Sequence, residues 1–141
     1  MDNLLNSAQR PLLLTGRALL GLYFILPGIS KITSWGATAT YMAAHGVPLI
    51  PVLLAVTIAL QIGGGLSLLL GYRAALVALV LAGLTVVISI YMHDFWNVAE
   101  DALRAHEMQN FIKNMAIAAG LLCVAGLTPT APAQSAAART G

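Results

Sequence analysis

The sequence predicts an all-α protein: a four-transmembrane-helix bundle with short connecting loops. Three observations carry that expectation. Four long apolar runs, 12–30, 48–70, 74–92 and 111–127, are almost free of charge. Each is close to the ~20 residues a helix needs to cross a ~30 Å hydrocarbon layer. The composition agrees, with 59% hydrophobic and 9% charged residues and a mean hydropathy of +0.85, against about 25% charged residues in a soluble domain. Hydrocarbon offers the backbone no water to bond, so such spans close their hydrogen bonds internally as helices.

Four spans leave little of a 141-residue chain for anything else. One domain is expected, divided into an N-terminal lead-in over 1–11, a membrane domain over 12–128 and a C-terminal tail over 129–141. The lead-in is polar and suits the membrane interface. Pro11 suits the first turn of a helix, where its missing N–H is not needed. The first run is followed by Lys31 and further spans rather than by a small-residue cleavage site, so it reads as a retained helix and not a signal peptide. Pro27 should kink this helix near its exit.

The first loop, 31–47, carries Trp35 and Tyr41, which suit an interface belt, and a short surface helix is expected across 37–44. Gly46, Pro48 and Pro51 mark the start of the second span. Gly71, Tyr72 and Arg73 join the second and third spans so tightly that the two must form an antiparallel hairpin. The third span ends at His93, Asp94, Phe95 and Trp96. Residues 97–110 form the longest polar loop, with scope for an amphipathic helix. The Ala/Pro/Ser/Thr tail beyond Pro129 has the composition of a disordered segment.

An even number of spans places both termini and the Arg73 turn on one side of the membrane. That side holds Arg10, Arg17, Arg73 and Arg139; the other holds Lys31, Arg104 and Lys113. The excess of cations marks the first side as cytoplasmic. The net charge of +2 comes from scattered residues with no basic stripe, which argues against a nucleic-acid partner. Cys123 is the only cysteine, so no internal disulfide or dithiol exists. It reads as a small core residue of the fourth span.

Polar groups inside spans are costly and often mark function. Arg17, Gly21, Phe24, Gly28 and Lys31 share one face of the first helix. Arg17 and Gln61 lie at comparable depths if counted from Pro11 and Gly71, which predicts an intramembrane hydrogen-bonded pair holding two helices together. Gly63, Gly64 and Gly65 allow close helix approach. Thr85, Ser89 and His93 form a polar stripe on the third span, and Asn110, Lys113, Ile117, Gly120 and Val124 share a face of the fourth.

The densest polar constellation lies at the end opposite the termini. Lys31, His93, Asp94, Trp96, Lys113 and Asn114 are the candidate site, a shallow cup with a positive floor, flanked by His45 and Gln109. The plainer reading makes the lysines and Trp96 interface anchors. His45, His93 and His106 match no metal-ligand spacing, so no metal site is assigned and haem is disfavoured. His93 is suited to proton exchange.

These residues, in this order, resemble the DoxX family of small four-helix membrane proteins. The segments RALLGLYFILPGISKI, QIGGGLSLLLGYR, HDFW and FIKNMAIAAGLL are similar to its four helices in turn. The resemblance implies a bacterial inner-membrane protein associated with redox chemistry. Where this chain has Gln61 the family commonly has an acidic residue, so a carboxylate-dependent role at that position is not expected here. On this reading the protein is a subunit or accessory of a membrane redox system, linked to a quinone or sulfur compound, working with the lipid bilayer, a redox partner protein or further copies of itself. No self-contained catalytic motif is present. The alternative is a non-enzymatic scaffold or a small-molecule or lipid binder. A transporter fits less well, because no inverted repeat or pair of broken helices is visible.

Overall fold

The computed structural model describes residues 2–128 and is helical almost throughout. Its elements are α1 (Asp2–Thr33), α2 (Trp35–Ala44), α3 (Ile50–Leu70), α4 (Ala74–Met92), a 3-10 turn (Phe95–Asn97) and α5 (Asp101–Leu127). Four helices, α1, α3, α4 and α5, are long and apolar enough to cross a membrane. The short surface helix expected in the first loop is α2. The tail expected beyond Pro129 lies outside the described residues.

Two helices are longer than the apolar runs indicated. α1 begins at Asp2 and passes through Pro11 and Pro27 uninterrupted, although it was expected to start at Pro11. α5 begins at Asp101, so most of the predicted polar loop is its first three turns. At 1.5 Å per residue α1 is ~48 Å long and α5 ~40 Å, against ~30 Å for α3 and α4. The α3–α4 hairpin is therefore the short half of the bundle.

Packing divides the chain into two antiparallel pairs. α1 lies along α3, and α4 along α5, while α3–α4 and α1–α5 touch less. The α1–α3 seam is made of glycine. A Cβ added at Gly21 would sit 2.7 Å from the Gly65 carbonyl oxygen, and one at Gly65 would sit 2.6 Å from the Gly21 carbonyl oxygen. A Cβ at Gly28 would meet Ile62 Cγ1 at 2.7 Å. Backbones this close gain dispersion contact in lipid, where no hydrophobic force drives helices together. The core around Phe24, Leu68, Leu81 and Leu121 is completed by Ala74, Ala78, Ala82 and Ala118. Large apolar side chains such as Leu12, Leu19, Leu26, Leu70 and Ile112 face outward, as a lipid solvent allows.

α3 ends at Gly71, whose φ of 77° is left-handed. The amides of Gly71 and Tyr72 return to the carbonyls of Leu68 and Ser67 at 3.3 and 3.0 Å, the bonding pattern of a Schellman stop.

The glycine register decides the fate of the expected Arg17–Gln61 pair. Gly21 opposes Gly65 and Gly28 opposes Gln61, so Arg17 opposes Gly71. The pair does not form, and Arg17 Nε and Gln61 Oε1 are both buried without a hydrogen-bond partner. Pro11 was a false depth marker, because α1 continues past the level of the Gly71 turn. Cys123 is also not a core residue; it is exposed on α5.

Candidate functional site

The α2 end of the bundle gathers titratable side chains from three elements. α4 stops at His93, which places His93 and Asp94 at its rim. α2 lays Tyr41 and His45 across that rim, and the second turn of α5 supplies Glu107.

His93 Nδ1 lies 2.7 Å from Glu107 Oε2, with side-chain exposures of 20% and 12%. The carboxylate accepts and Nδ1–H donates, so Nε2 is the nitrogen left for a ligand. A carboxylate that fixes one imidazole nitrogen orients the ring and sets its tautomer, the arrangement used where histidine moves protons. His45 Nε2 lies 3.8 Å from Asp94 Oδ1. His45 Nδ1 sits 2.9 Å from the Tyr41 carbonyl oxygen, which can only accept, so Nδ1 donates there. Asn97 Nδ2 donates to the other Asp94 oxygen at 2.8 Å.

Tyr41 ties the two pairs together. Its hydroxyl donates to the Met92 carbonyl at 3.1 Å, and its ring lies 4.3 Å from that of His45. The residue is 42% exposed, and its hydroxyl is held against the end of α4 by that bond. Burial, followed by the negative charges of Glu107 and Asp94, holds the phenol above its ordinary value of 10.0. The folded state thus favours the protonated phenol. Its contribution to stability is complete below the unfolded value and is lost as pH rises through the higher folded value. In a spectrophotometric titration the Tyr41→Phe variant should lose a phenolate component that ionises above the normal tyrosine range. Loss of a component at the normal position instead would contradict the geometry.

The predicted cup is only partly assembled. His93 and Asp94 belong to the network. Lys113 does not: it is exposed, and donates to Asn110 Oδ1 one turn earlier at 3.0 Å. Trp96 is exposed at the rim, edge-on to Phe95 and Phe111 at centroid distances of 5.1 and 5.8 Å. Asn114 is buried lower in the bundle, where the Tyr23 hydroxyl approaches its Oδ1 at 3.4 Å. Lys31 is half-buried in the last turn of α1, while the ion pairs of the network use histidines. Among the described residues no group of three or more His, Cys, Asp or Glu side chains could hold a metal ion.

Glu107 and Tyr41 were missed as site residues. The signal for Glu107 was the buried face of α5, Glu107–Asn114–Ala118–Leu121, which keeps helical spacing. The predicted face through Lys113 was rotated off it. Thr85 and Ser89 are buried as a stripe below His93, but each hydroxyl donates to the carbonyl four residues earlier, at 2.7 Å.

Below the network lies an apolar groove of about 310 Å³ between α3 and α4, roofed by the segment after α2. Met42, Tyr91 and Met92 line it at the network end, and Leu53, Val56, Leu84 and Val87 along its walls. Thr57 and the Tyr91 hydroxyl are its polar side-chain groups.

Comparison with known proteins is consistent with this architecture. The inner membrane protein YqjF of Escherichia coli (strain K12) is 35% identical over 118 residues, covering 84% of this chain and 85% of that protein. No solved structure matches the chain. The DoxX family pattern matches residues 12–94, from early α1 to the histidine rim. With four apolar helices and an inner-membrane relative, this is a multi-pass inner membrane protein, and the chain belongs to the DoxX family.

Proposed function

We propose that the protein is an accessory subunit of a membrane redox system that binds a quinone. The isoprenoid part would occupy the α3–α4 groove and the headgroup would lie at the His93–Glu107 pair. One observation carries this reading: an apolar groove abuts, through Met42 and Met92, a network containing an imidazole with one nitrogen fixed by a carboxylate. A quinone headgroup needs proton exchange at its oxygens while its tail stays in hydrocarbon, and both needs are met side by side. His93 would exchange the proton through Nε2, Glu107 would hold the ring, and Lys31 would supply positive charge nearby. Electrons would come from a partner protein, because quinone chemistry belongs to the bound group. Both termini are placed in the cytoplasm on the strength of Arg10, Arg17 and Arg73 at their end of the bundle.

The almost wholly apolar lining favours a second reading, a non-enzymatic protein whose groove holds a lipid acyl chain. Solvent extraction of the detergent-purified protein, with visible spectroscopy, separates the two. Near-stoichiometric quinone that falls severalfold in the groove-filling Val87→Trp variant supports the redox reading. Phospholipid alone, in wild type and variant, sinks it and leaves the lipid binder.

A further inference from the structure

The opposite end of the bundle contains a cavity that the proposed function does not use. The α3–α4 hairpin is short, and α1 runs on past its turn while α5 ends about level with it, leaving a notch. The notch encloses about 580 Å³ and is lined by Gln9, Arg10, Leu13, Arg17, Gly71 and Thr128, among others. We propose that this notch binds a phosphate group, held by Arg17 at its floor and Arg10 at its mouth.

Arg17 carries the argument. Its guanidinium lies against the Gly71 backbone, so closely that a Cβ there would meet Nη2 at 2.9 Å and Nη1 at 3.0 Å. Nε is buried and has no hydrogen-bond partner. A buried donor on a cation is expensive to leave unmade. The obvious internal acceptors do not use it: Gln61, on α3, lies at the level of Gly28, about three turns from Arg17, and the Ser67 and Leu68 carbonyls at the end of α3 already accept from Tyr72 and Gly71. The described acidic side chains, Asp94, Glu100, Asp101 and Glu107, lie at or beyond the far end of α4 or in the first turns of α5, so none neutralises this guanidinium. Arg10 adds a second cation about two turns along the same helix face, and Gln9 adds a neutral donor. Gly71, with no side chain, keeps the floor open.

A flat guanidinium with a buried, unpaired Nε, a second arginine and, among the described side chains, no acid beside them select a tetrahedral oxyanion, because arginine forks match phosphate oxygens. The notch sits where α3 and α4 leave the apolar layer, the level at which phospholipid phosphates lie. The phosphate is either an anionic lipid headgroup or a soluble phosphate. Simple snorkelling of Arg17 to water would leave no reason for a buried, unpaired Nε.

The test uses the full chain in detergent, with native mass spectrometry to count retained lipid from mixed phosphatidylglycerol and phosphatidylcholine, and thermal unfolding with and without inorganic phosphate. Wild type should retain phosphatidylglycerol over phosphatidylcholine by about tenfold. Arg17→Gln should cut that preference below about twofold and Arg10→Gln should reduce it partly, while Arg73→Gln, beside the notch but not lining it, should leave it intact. No lipid preference, but a rise in melting temperature with phosphate that Arg17→Gln abolishes, would assign the site to a soluble phosphate. The proposal is overturned if wild type responds to neither ligand, or if Arg73→Gln weakens retention as much as Arg17→Gln, which would mean unspecific surface charge. If Arg17→Gln does not fold, Arg10→Gln against Arg73→Gln decides the matter.

Discussion

Alanine at three consecutive glycines should give three different results. Gly63→Ala should fold and melt like the wild type, because a Cβ there meets nothing within 4 Å. Gly64→Ala should lose a little stability, because its Cβ would meet Leu81 side-chain atoms at 3.0 to 3.1 Å and a leucine end can turn aside. Gly65→Ala should be severely destabilised. Its Cβ would stand 2.6 Å from the Gly21 carbonyl oxygen and 2.7 Å from Ile25 Cγ1, and backbone cannot swing away as a side chain can. Overpacking of this kind costs about 1–3 kcal/mol and sometimes more, and here the whole α1–α3 seam must open to relieve it. Gly21→Ala should act alike from the other side, and the double variant should cost less than the sum of the two, since either alone forces the helices apart. Thermal unfolding in one detergent measures the series. Equal melting temperatures for Gly63→Ala and Gly65→Ala would show that the helices do not meet along this seam.

The second large effect is expected at the His93–Glu107 pair. Glu107→Leu leaves the imidazole without its carboxylate at a largely buried position, and His93→Leu leaves the carboxylate without its donor. Each should cost about 2 kcal/mol, the range for hydrogen bonds that involve a charged group. The double substitution should cost clearly less than the two together, because a matched apolar pair leaves no orphaned polar atom. A double-mutant cycle on thermal or denaturant unfolding reads this coupling directly. Strict additivity would mean that the two side chains act independently, and would remove the oriented imidazole from the proposed quinone site.

The spans were legible because apolarity sustained over a membrane's thickness needs no partner to be recognised. α4 was bounded correctly at both ends by the Arg73 turn and the His93 rim. What a single sequence withholds is register and rotation. Gln61 was paired with Arg17 because depth was counted from Pro11; only the Gly21–Gly65 contact fixes which residues share a level. Lys113 was placed in the cup because the neighbouring positions of α5 show no strong apolar stripe to set its rotation. Glu107 looked like a loop residue because polar composition conceals the first turns of a helix that rise above the lipid. His93 and Asp94 were placed at the rim of the bundle because the abrupt end of an apolar run marks its rim residues by itself.

The division into α1–α3 and α4–α5 bears on how the chain is made. Each unit is a hairpin of consecutive spans, so the ribosome delivers both partners of a seam before the next begins. The glycine seam can close while α4 is still in the exit tunnel, and the second hairpin then docks on a finished first one. A polypeptide built this way tolerates interruption at the Tyr72–Arg73 joint better than anywhere within a hairpin, so two co-expressed fragments divided there should reconstitute the bundle.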